Sequence, residues 1–580
     1  VLRRVMSWRL HPECASPSLP RAAAAGFVEL LDALLPHLPS PEEGAAQRAH
    51  VELIEALWTR LAPRPLEPGG GLAPERIDVQ WELAADESFS KVVARGTAPA
   101  SPQLGHSVHV EVDGLAPDRW YWYRFRAGDA ESPIGRTRTL PAPDAAVDRM
   151  RLAVTSCQNF EQGLFTAYEQ MMRDEPDLVM HLGDYIYEYR AGQNGKVRTH
   201  QGEEIRSLDD YRIRYGQYRS DPLLHGMHAR CPWMVTFDDH EFDNNYADLV
   251  SEESGIDPTS FRLRREAAYQ AYYEIMPLRT RSMPRGSRIQ LYRGASYGRL
   301  AELMVLDTRQ YRTDQPNGDR PGPIEGAPMD PAGTLLGGEQ KRWLKRQLIG
   351  SGARWNVLAQ QVMMGMVDRR LNGTYSMDQW PGYAHERMEL LRFLEDRRIP
   401  NPVVLTGDIH TNWANELRAD DRRAEDPVIA PEFVATSLSS GGDGYDKPNR
   451  HDELRAKHPG IKFHNGERGY IRCTITDSQW RSDFVSVDRV ETPGGRCFTR
   501  ASFVVEAGDP RIQKALARST PRETATRRRS DDSGAAPRRG NRCRGRWGRG
   551  SSAQCSTPTL ASMERVFVPR RMIASSTVPP

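Results

Sequence analysis

A chain of 580 residues exceeds one ordinary hydrophobic core, so two or more domains are expected. With 38% hydrophobic and 27% charged residues the composition is globular, and no run of about 18 apolar residues marks a transmembrane helix. The net charge of +2 is unevenly placed: Ala517–Pro580 carries 14 Arg, no Lys and 4 acidic residues, which leaves the rest of the chain acidic and unlike a nucleic-acid binder.

Val1–Ala56 reads as irregular and Ala-rich, and no function is assigned to it. Arg3–Arg4 is a twin arginine, but no clean apolar run follows it, so the residues alone give no signal peptide. Leu61–Gly71 (LAPRPLEPGGG) reads as a Pro/Gly linker. VQWELAAD, KVVARGTA, SVHVEVDGL and WYWYRFRAG then alternate or run apolar between turn residues, which predicts a small antiparallel β-sandwich of immunoglobulin or fibronectin type over residues 57–141. Leu140–Asp148 leads out of it.

From Arg149 the pattern becomes apolar runs alternating with helical stretches. RLAVTS, DLVMHLG, PWMVTF, ELMVLD, WNVLAQ, PVVLTG and EFVATSL read as strands, and EQKRWLKRQL as one of the helices between them. Leu164, Phe165, Tyr168, Met171 and Met172 recur at helical spacing until Asp174-Glu-Pro stops them. An α/β domain over residues 149–508 is expected. The Arg/Ser/Gly/Pro-rich residues 517–580 lack periodicity and read as a disordered basic tail. The seven cysteines are scattered without a C-x-x-C, which excludes zinc-ribbon and thioredoxin sites and leaves a Cys473–Cys497 pairing open.

Four of the strands share one grammar, an apolar run followed by ligand-type residues at its C-terminal end. LAVTS leads to Cys157; LVMHLG leads to Asp184 and Tyr187. MVTF leads to Asp238, Asp239, His240 and Glu241, with Asn244 and Asn245 just after, and VVLTG leads to Asp408, His410 and Asn412. Strand ends of an α/β sheet converge on one crevice. Crowded carboxylates repel, and burial makes that worse, so a multivalent cation is the natural resolution. Asp184 then reads as a ligand able to bridge two ions, and Tyr187 as a phenolate ligand. Thiolate or phenolate beside carboxylates suits ferric iron, whereas Asp, Asn and carbonyl oxygens suit calcium, magnesium or manganese.

GASYG, Gly294–Gly298, matches the G-x-S-x-G of a serine hydrolase, but that motif needs a strand before it and a helix after it. LYRGASYGRLAELMVLD reads instead as a hairpin. A serine esterase using Ser296 stands as one alternative, and a non-catalytic binding protein with the β-sandwich as its adhesive module as another. HEFDN is not a zincin motif, and neither a P-loop nor a dinucleotide fingerprint is present.

SCQN, HLGDYIYEY, TFDDHEFDNN, LDTRQYR and LTGDIHTNW, in that order, resemble the PhoD-type alkaline phosphatase/phosphodiesterase family, related to the purple acid phosphatases within the metallophosphoesterases. HVEVDGLAPDRWYWYRF and GRTRTLPAP resemble that family's N-terminal domain. The resemblance implies an α/β metallophosphoesterase fold, a four-layer αββα sandwich, behind the small β-sandwich. It implies hydrolysis of phosphate mono- or diesters by a metal-activated water or oxide.

The same resemblance implies a residue set. Cys157, Asp184, Tyr187 and His410 would hold Fe(III), and Asp184 would bridge to Ca(II), with Mn, Mg or Zn as alternatives. Asp239 takes the place of the superfamily's metal-binding Asn; Asp408 and either Asn244 or Asn245 fall on the calcium side. His240 would contact substrate phosphate, oriented by Asp238. Arg309 is either a phosphate clamp or a structural ion pair. A monomer exported to the periplasm or beyond is implied, acting on small phosphate esters or on teichoic-acid, phospholipid or nucleotide types.

Overall fold

The computed structural model describes residues 55–447 and 449–515. The expectations for residues 1–54 and for the basic tail at 517–580 lie outside the described residues, as do Cys14, Cys543 and Cys555.

The first unit is all β. Strands Ile77–Ala84, Val92–Ala100, Trp120–Ala127, Ala130–Glu131 and Gly135–Arg138 make a five-stranded antiparallel sheet. Glu55–Arg60 and Ser107–Val112 pair separately. Period-two patterning sends Val79 and Leu83 inward, while Asp78 and Gln80 face water. The inward residues pack with Leu57, Val108, Val110, Tyr121 and Phe125 in one core. Strand Glu55–Arg60 places Leu61–Gly71 inside this unit, with Leu61 in the same core, so that stretch is an internal connection and not the linker expected. The strand is hard to read because one of its inward positions is Thr59, leaving Leu57 as the main apolar signal.

Beyond it, one hydrogen-bonded network of fourteen strands carries the rest of the described chain. Met150–Thr155, Leu178–Leu182 and Trp233–Thr236 run parallel. Ala301–Val305, Trp355–Ala359, Pro402–Thr406 and Ala430–Val434 form a second parallel run. The long strand Ile461–Ile475 joins the two. Its first part pairs with Asn412–Leu417, and its last part pairs with Met150–Thr155 on one side and Gln479–Val487 on the other.

Neighbouring residues on a strand serve different cores. Leu152, Val154, Met180 and Leu182 pack with Leu303, Val357 and Leu405 from the second run. Ala153, Val179 and Val235 instead face helices Ala167–Asp174, Leu208–Arg219 and Pro258–Ile275. On the other run, Met304, Leu358 and Val404 face Gly337–Gly350 and Ala384–Asp396. Trp355, Trp380, Trp413 and Trp480 are all fully buried, and burial of a large apolar side chain is worth roughly 1.5–3 kcal/mol.

Two sequence alternatives fail here. Arg293–Tyr297 and Ala301–Val305 form a hairpin, and Ser296 Oγ donates to Glu302 Oε2 at 2.6 Å, so no strand-to-helix elbow presents this hydroxyl. Cys473 and Cys497 are free thiols. Cys473 pairs in register with Ser482 and Cys497 with Val487, positions that lie along the intervening strand rather than opposite each other.

The β unit docks on the larger one through directed contacts. Trp58 Nε1 donates to Glu274 O at 2.8 Å, a His109 Nδ1 contact reaches Leu278 O at 2.9 Å, and Arg138 pairs with Asp177 at 2.6 Å.

Candidate metal centre

Three of the four predicted strand ends deliver their polar residues by an abrupt turn. Cys157 (φ 57°), Asp184 (φ 56°), Asp408 (φ 62°) and His410 (φ 57°) all adopt left-handed backbone, as does Asn245 (φ 49°). Such conformations cost non-glycine residues about 1–3 kcal/mol and cluster where function requires them. Gly183 (φ 106°) permits the closest approach: a Cβ there would lie 2.5 Å from Asp238 Cβ, so any side chain would push the second loop away from the first.

The loops are locked by backbone bonds. Cys157 N donates to Gly183 O at 3.1 Å and Gln158 N to Asp184 O at 3.0 Å. Glu241 accepts from Asp184 N (3.1 Å), Tyr185 N (2.6 Å) and Asp238 N (2.9 Å). Although it sits in the ligand-rich string, its carboxylate is spent on stapling two loops together.

Three groups of ligand atoms result, in each of which the atoms lie within 4.8 Å of one another: Cys157, Asp184 and His410; Asp184, Asp239 and His240; Asp238, Asp239 and Asp408. Asp184 belongs to the first two and Asp239 to the last two. Tyr187 joins the first group, its hydroxyl 2.9 Å from Asp184 Oδ2 and 3.2 Å from His410 Nε2. Ser440 Oγ bonds the same hydroxyl at 2.7 Å and also the Cys157 carbonyl at 2.8 Å.

The charges here are poorly compensated by the described residues alone. Asp184 Oδ1, Asp238 Oδ2 and Asp239 Oδ1 are buried without a hydrogen-bond partner. A buried acceptor left unsatisfied costs about 1–3 kcal/mol, and more when charged. Burial, with the charges of Asp239, Asp238 and Glu241, raises the Asp184 carboxyl well above its ordinary range. Burial and Asp239 push Asp408 up to about 6. Burial and Asp184 also raise the Cys157 thiol and the Tyr187 phenol. Bound cations reverse all of these, and a set of thiol, phenol, imidazole and carboxylates fits a hard cation on one side and an oxygen-loving one on the other.

Two expected roles change. Asp238 does not orient His240. Its Oδ1 takes Arg309 Nε at 2.5 Å, and it is Glu188 Oε2 that holds His240 Nδ1 at 2.9 Å. Burial opposes charge on His240, but Glu188, Asp239 and Asp184 outweigh it and raise its pKa. Arg309 is 0% exposed, and its guanidinium is divided between Asp238 and a two-pronged pair with Asp378 at 2.7 and 3.0 Å. A side chain so enclosed and saturated is an ion-pair strut, not a phosphate clamp.

The two asparagines also separate. Asn244 Nδ2 donates to Glu252 at 2.6 Å, whereas Asn245 donates its backbone N–H to Asp239 Oδ2 at 2.8 Å and its Nδ2 to Asp319 at 2.5 Å. Asp378, Gln379 (bonded to Asp408) and Ser440 had no sequence signal, since nothing links them to the motifs along the chain. Glu188 did have one: it lies in GDYIYEY itself, among tyrosines that masked it.

Comparison with known proteins agrees along both units. A family model described as PhoD-like phosphatase matches residues 152–484, and one described as PhoD-like phosphatase, N-terminal domain, matches residues 54–141. Alkaline phosphatase D of Bacillus subtilis (strain 168) is 48% identical over 464 residues, which is 79% of this chain and 79% of that protein. A solved structure titled "Structure of PhoD" superposes with a TM-score of 0.77 at 47% identity, covering 81% of this chain and 92% of that one. With the model spanning over half the chain and the relative most of it, the chain belongs to the PhoD-like phosphatase family and is a phosphoric ester hydrolase.

Proposed function

We propose that the hydrolysis runs at a mixed-metal cup in which Cys157, Asp184, Tyr187 and His410 hold ferric iron, while Asp184, Asp239, Asp408 and Asn245 hold calcium. The observation that supports this most is Asp184, whose carboxylate belongs to two ligand groups at once. When bound, such ions polarise phosphoryl oxygens and acidify an attacking water.

The chain's own residues do the rest. Glu188 fixes His240 through Nδ1, which leaves the other edge of the ring to donate to a phosphate oxygen or to the leaving group. Tyr187 packs at a tilt against that imidazole, with ring centres 4.2 Å apart, which limits its rotation. Arg309 and Asp378 brace Asp238 from behind. Phosphate mono- and diesters are the substrate class; teichoic-acid, phospholipid and nucleotide esters fall within it. The core clusters favour a helix–sheet–sheet–helix layering. Among the described residues no helix is long and apolar enough to cross a membrane, and we infer a monomer exported from the cytoplasm from the likeness to alkaline phosphatase D.

The test is elemental analysis and turnover of a chromogenic phosphodiester in parent and Asp184→Asn. Iron and calcium are expected in the parent, with iron lost and activity down at least about 100-fold in the variant. Wild-type metal and rate in Asp184→Asn would reject the assignment, and a comparable loss in Ser296→Ala would favour the serine esterase.

A further inference from the structure

A second charged cavity, lined by none of the strand-end ligand residues, lies in the seam between the two units. Its volume is about 180 Å³, room for roughly six water molecules at about 30 Å³ each. Six arginines line it. Arg136 and Arg138 come from the β unit, and Arg219, Arg279, Arg281 and Arg293 from the larger one. No Asp or Glu among the described residues lines it, and none of its lining residues belongs to the metal-ligand groups.

We propose that this cavity binds a tetrahedral oxyanion of the phosphate or sulfate class, gripped jointly by guanidinium groups of both domains.

The partners of these arginines carry the argument. Arg293 donates to two carbonyls, Leu291 O and Val235 O, both at 2.8 Å. Arg136 Nε donates to Arg230 O at 2.9 Å, and its guanidinium lies 4.1 Å over Trp120. Arg219 donates to Tyr185 Oη at 3.3 Å and stacks over Trp58 at 4.6 Å. All three rest on neutral dipoles and aromatic faces, so their charge is supported but not cancelled. Arg138 pairs with Asp177 and Asp118, and its buried Nε still has no hydrogen-bond partner. Burial, together with Arg281 and Arg279, lowers the Arg293 pKa to about 10. Like charges gathered in a half-enclosed space repel, and a multivalent anion is what relieves them.

Phosphate and sulfate present acceptors in every direction, which matches donors arriving from two domains better than a planar carboxylate does. An ion that binds only where both domains contribute stabilises their docked state by mass action. One wall also reaches the catalytic side. Tyr185, which accepts from Arg219 and contacts His228 Nε2 at 2.9 Å, directly follows Asp184 in the chain.

The experiment compares the metal-loaded protein with an Arg279→Gln/Arg281→Gln variant. Arg279 precedes the turn Thr280–Ser282 and Arg281 lies within it, apart from the cup, so turnover of a phosphodiester checks that the variant is folded. Thermal midpoints are followed against sulfate at fixed ionic strength, with chloride as the reference. A parallel arm uses phenylphosphonate, which has no ester bond to cleave. The parent should show a saturable rise that chloride does not give, and the variant should need on the order of tenfold more sulfate. Tighter binding of phenylphosphonate than of sulfate would assign the cavity to a phosphate carried on a larger molecule, and the reverse to a free ion. The same saturable response in parent and variant, or a parent response no larger than that to chloride, would overturn the proposal. Metal-site binding is common to both proteins and cancels in the comparison.

Discussion

The strand-end cup and the domain seam both crowd like charges, yet they are built in opposite ways. In the cup, one carboxylate oxygen each of Asp184, Asp238 and Asp239 is buried without a donor, although the other oxygen of each has one. In the seam, Arg136, Arg219 and Arg293 lean on carbonyls and aromatic rings. The difference is chemical. A protein backbone offers carbonyls freely once strands have ended, and rings offer a negative face, so surplus cations find partial partners. Surplus anions need N–H groups, which secondary structure has already consumed. A fold can therefore keep a cationic cavity ready with modest help, while an anionic one of this density calls for bound metal.

The largest effect that would break this contrast is expected at Arg309, the internal cation of the cup. Arg309→Met leaves buried Asp238 without its cation and Asp378 with Arg312 alone, and should cost about 3–5 kcal/mol in chemical denaturation. A loss under about 1 kcal/mol would mean the cup tolerates bare carboxylates after all. Next comes Glu188→Gln, which keeps the shape but removes the charge beside His240. We expect kcat to fall about 10–100-fold with metal content retained and KM little changed, together with a shifted pH–rate profile. An unchanged profile would demote Glu188 to packing.

A smaller effect is expected in the wall between the two regions. His181 is fully buried between Tyr185 and Trp233, and burial lowers its pKa to about 3. Its unfolded value lies near about 6.5. Stability is therefore present above about pH 6.5 and lost as the pH falls from there toward 3, by up to about 2 kcal/mol at pH 5. His181→Phe should remove that much of the difference between denaturation at pH 8 and pH 5. An identical pH dependence in the variant would show that His181 is protonated at no cost.

How much of this was legible depended on whether the signal was local. Asp184, Asp239, Asp408 and His410 announced themselves because each follows an apolar run that can only be a buried strand, and such strands end together. Hidden partners were another matter. Asp238 lies two residues before His240 in sequence, but the chain sends the two side chains to different neighbours, Arg309 and Glu188. Adjacency was a poor guide because the loop is not extended. The strand Ile461–Ile475 went unread for the opposite reason: IKFHNGERGYIRCTI interrupts its apolar positions with His464, Asn465 and Gly469, which are buried or pressed against other backbone and so break the alternation.

That strand has a bearing on how the enzyme is made. Cys157 and Asp184 ride on one parallel run, Asp408 and His410 on the other side of it, and Ile461–Ile475 is the rung that hydrogen-bonds to both. A ribosome must pass residue 475 before this strand can join the two banks. A nascent chain halted earlier lacks that rung, and its two runs meet through the side-chain core they share and not through this strand.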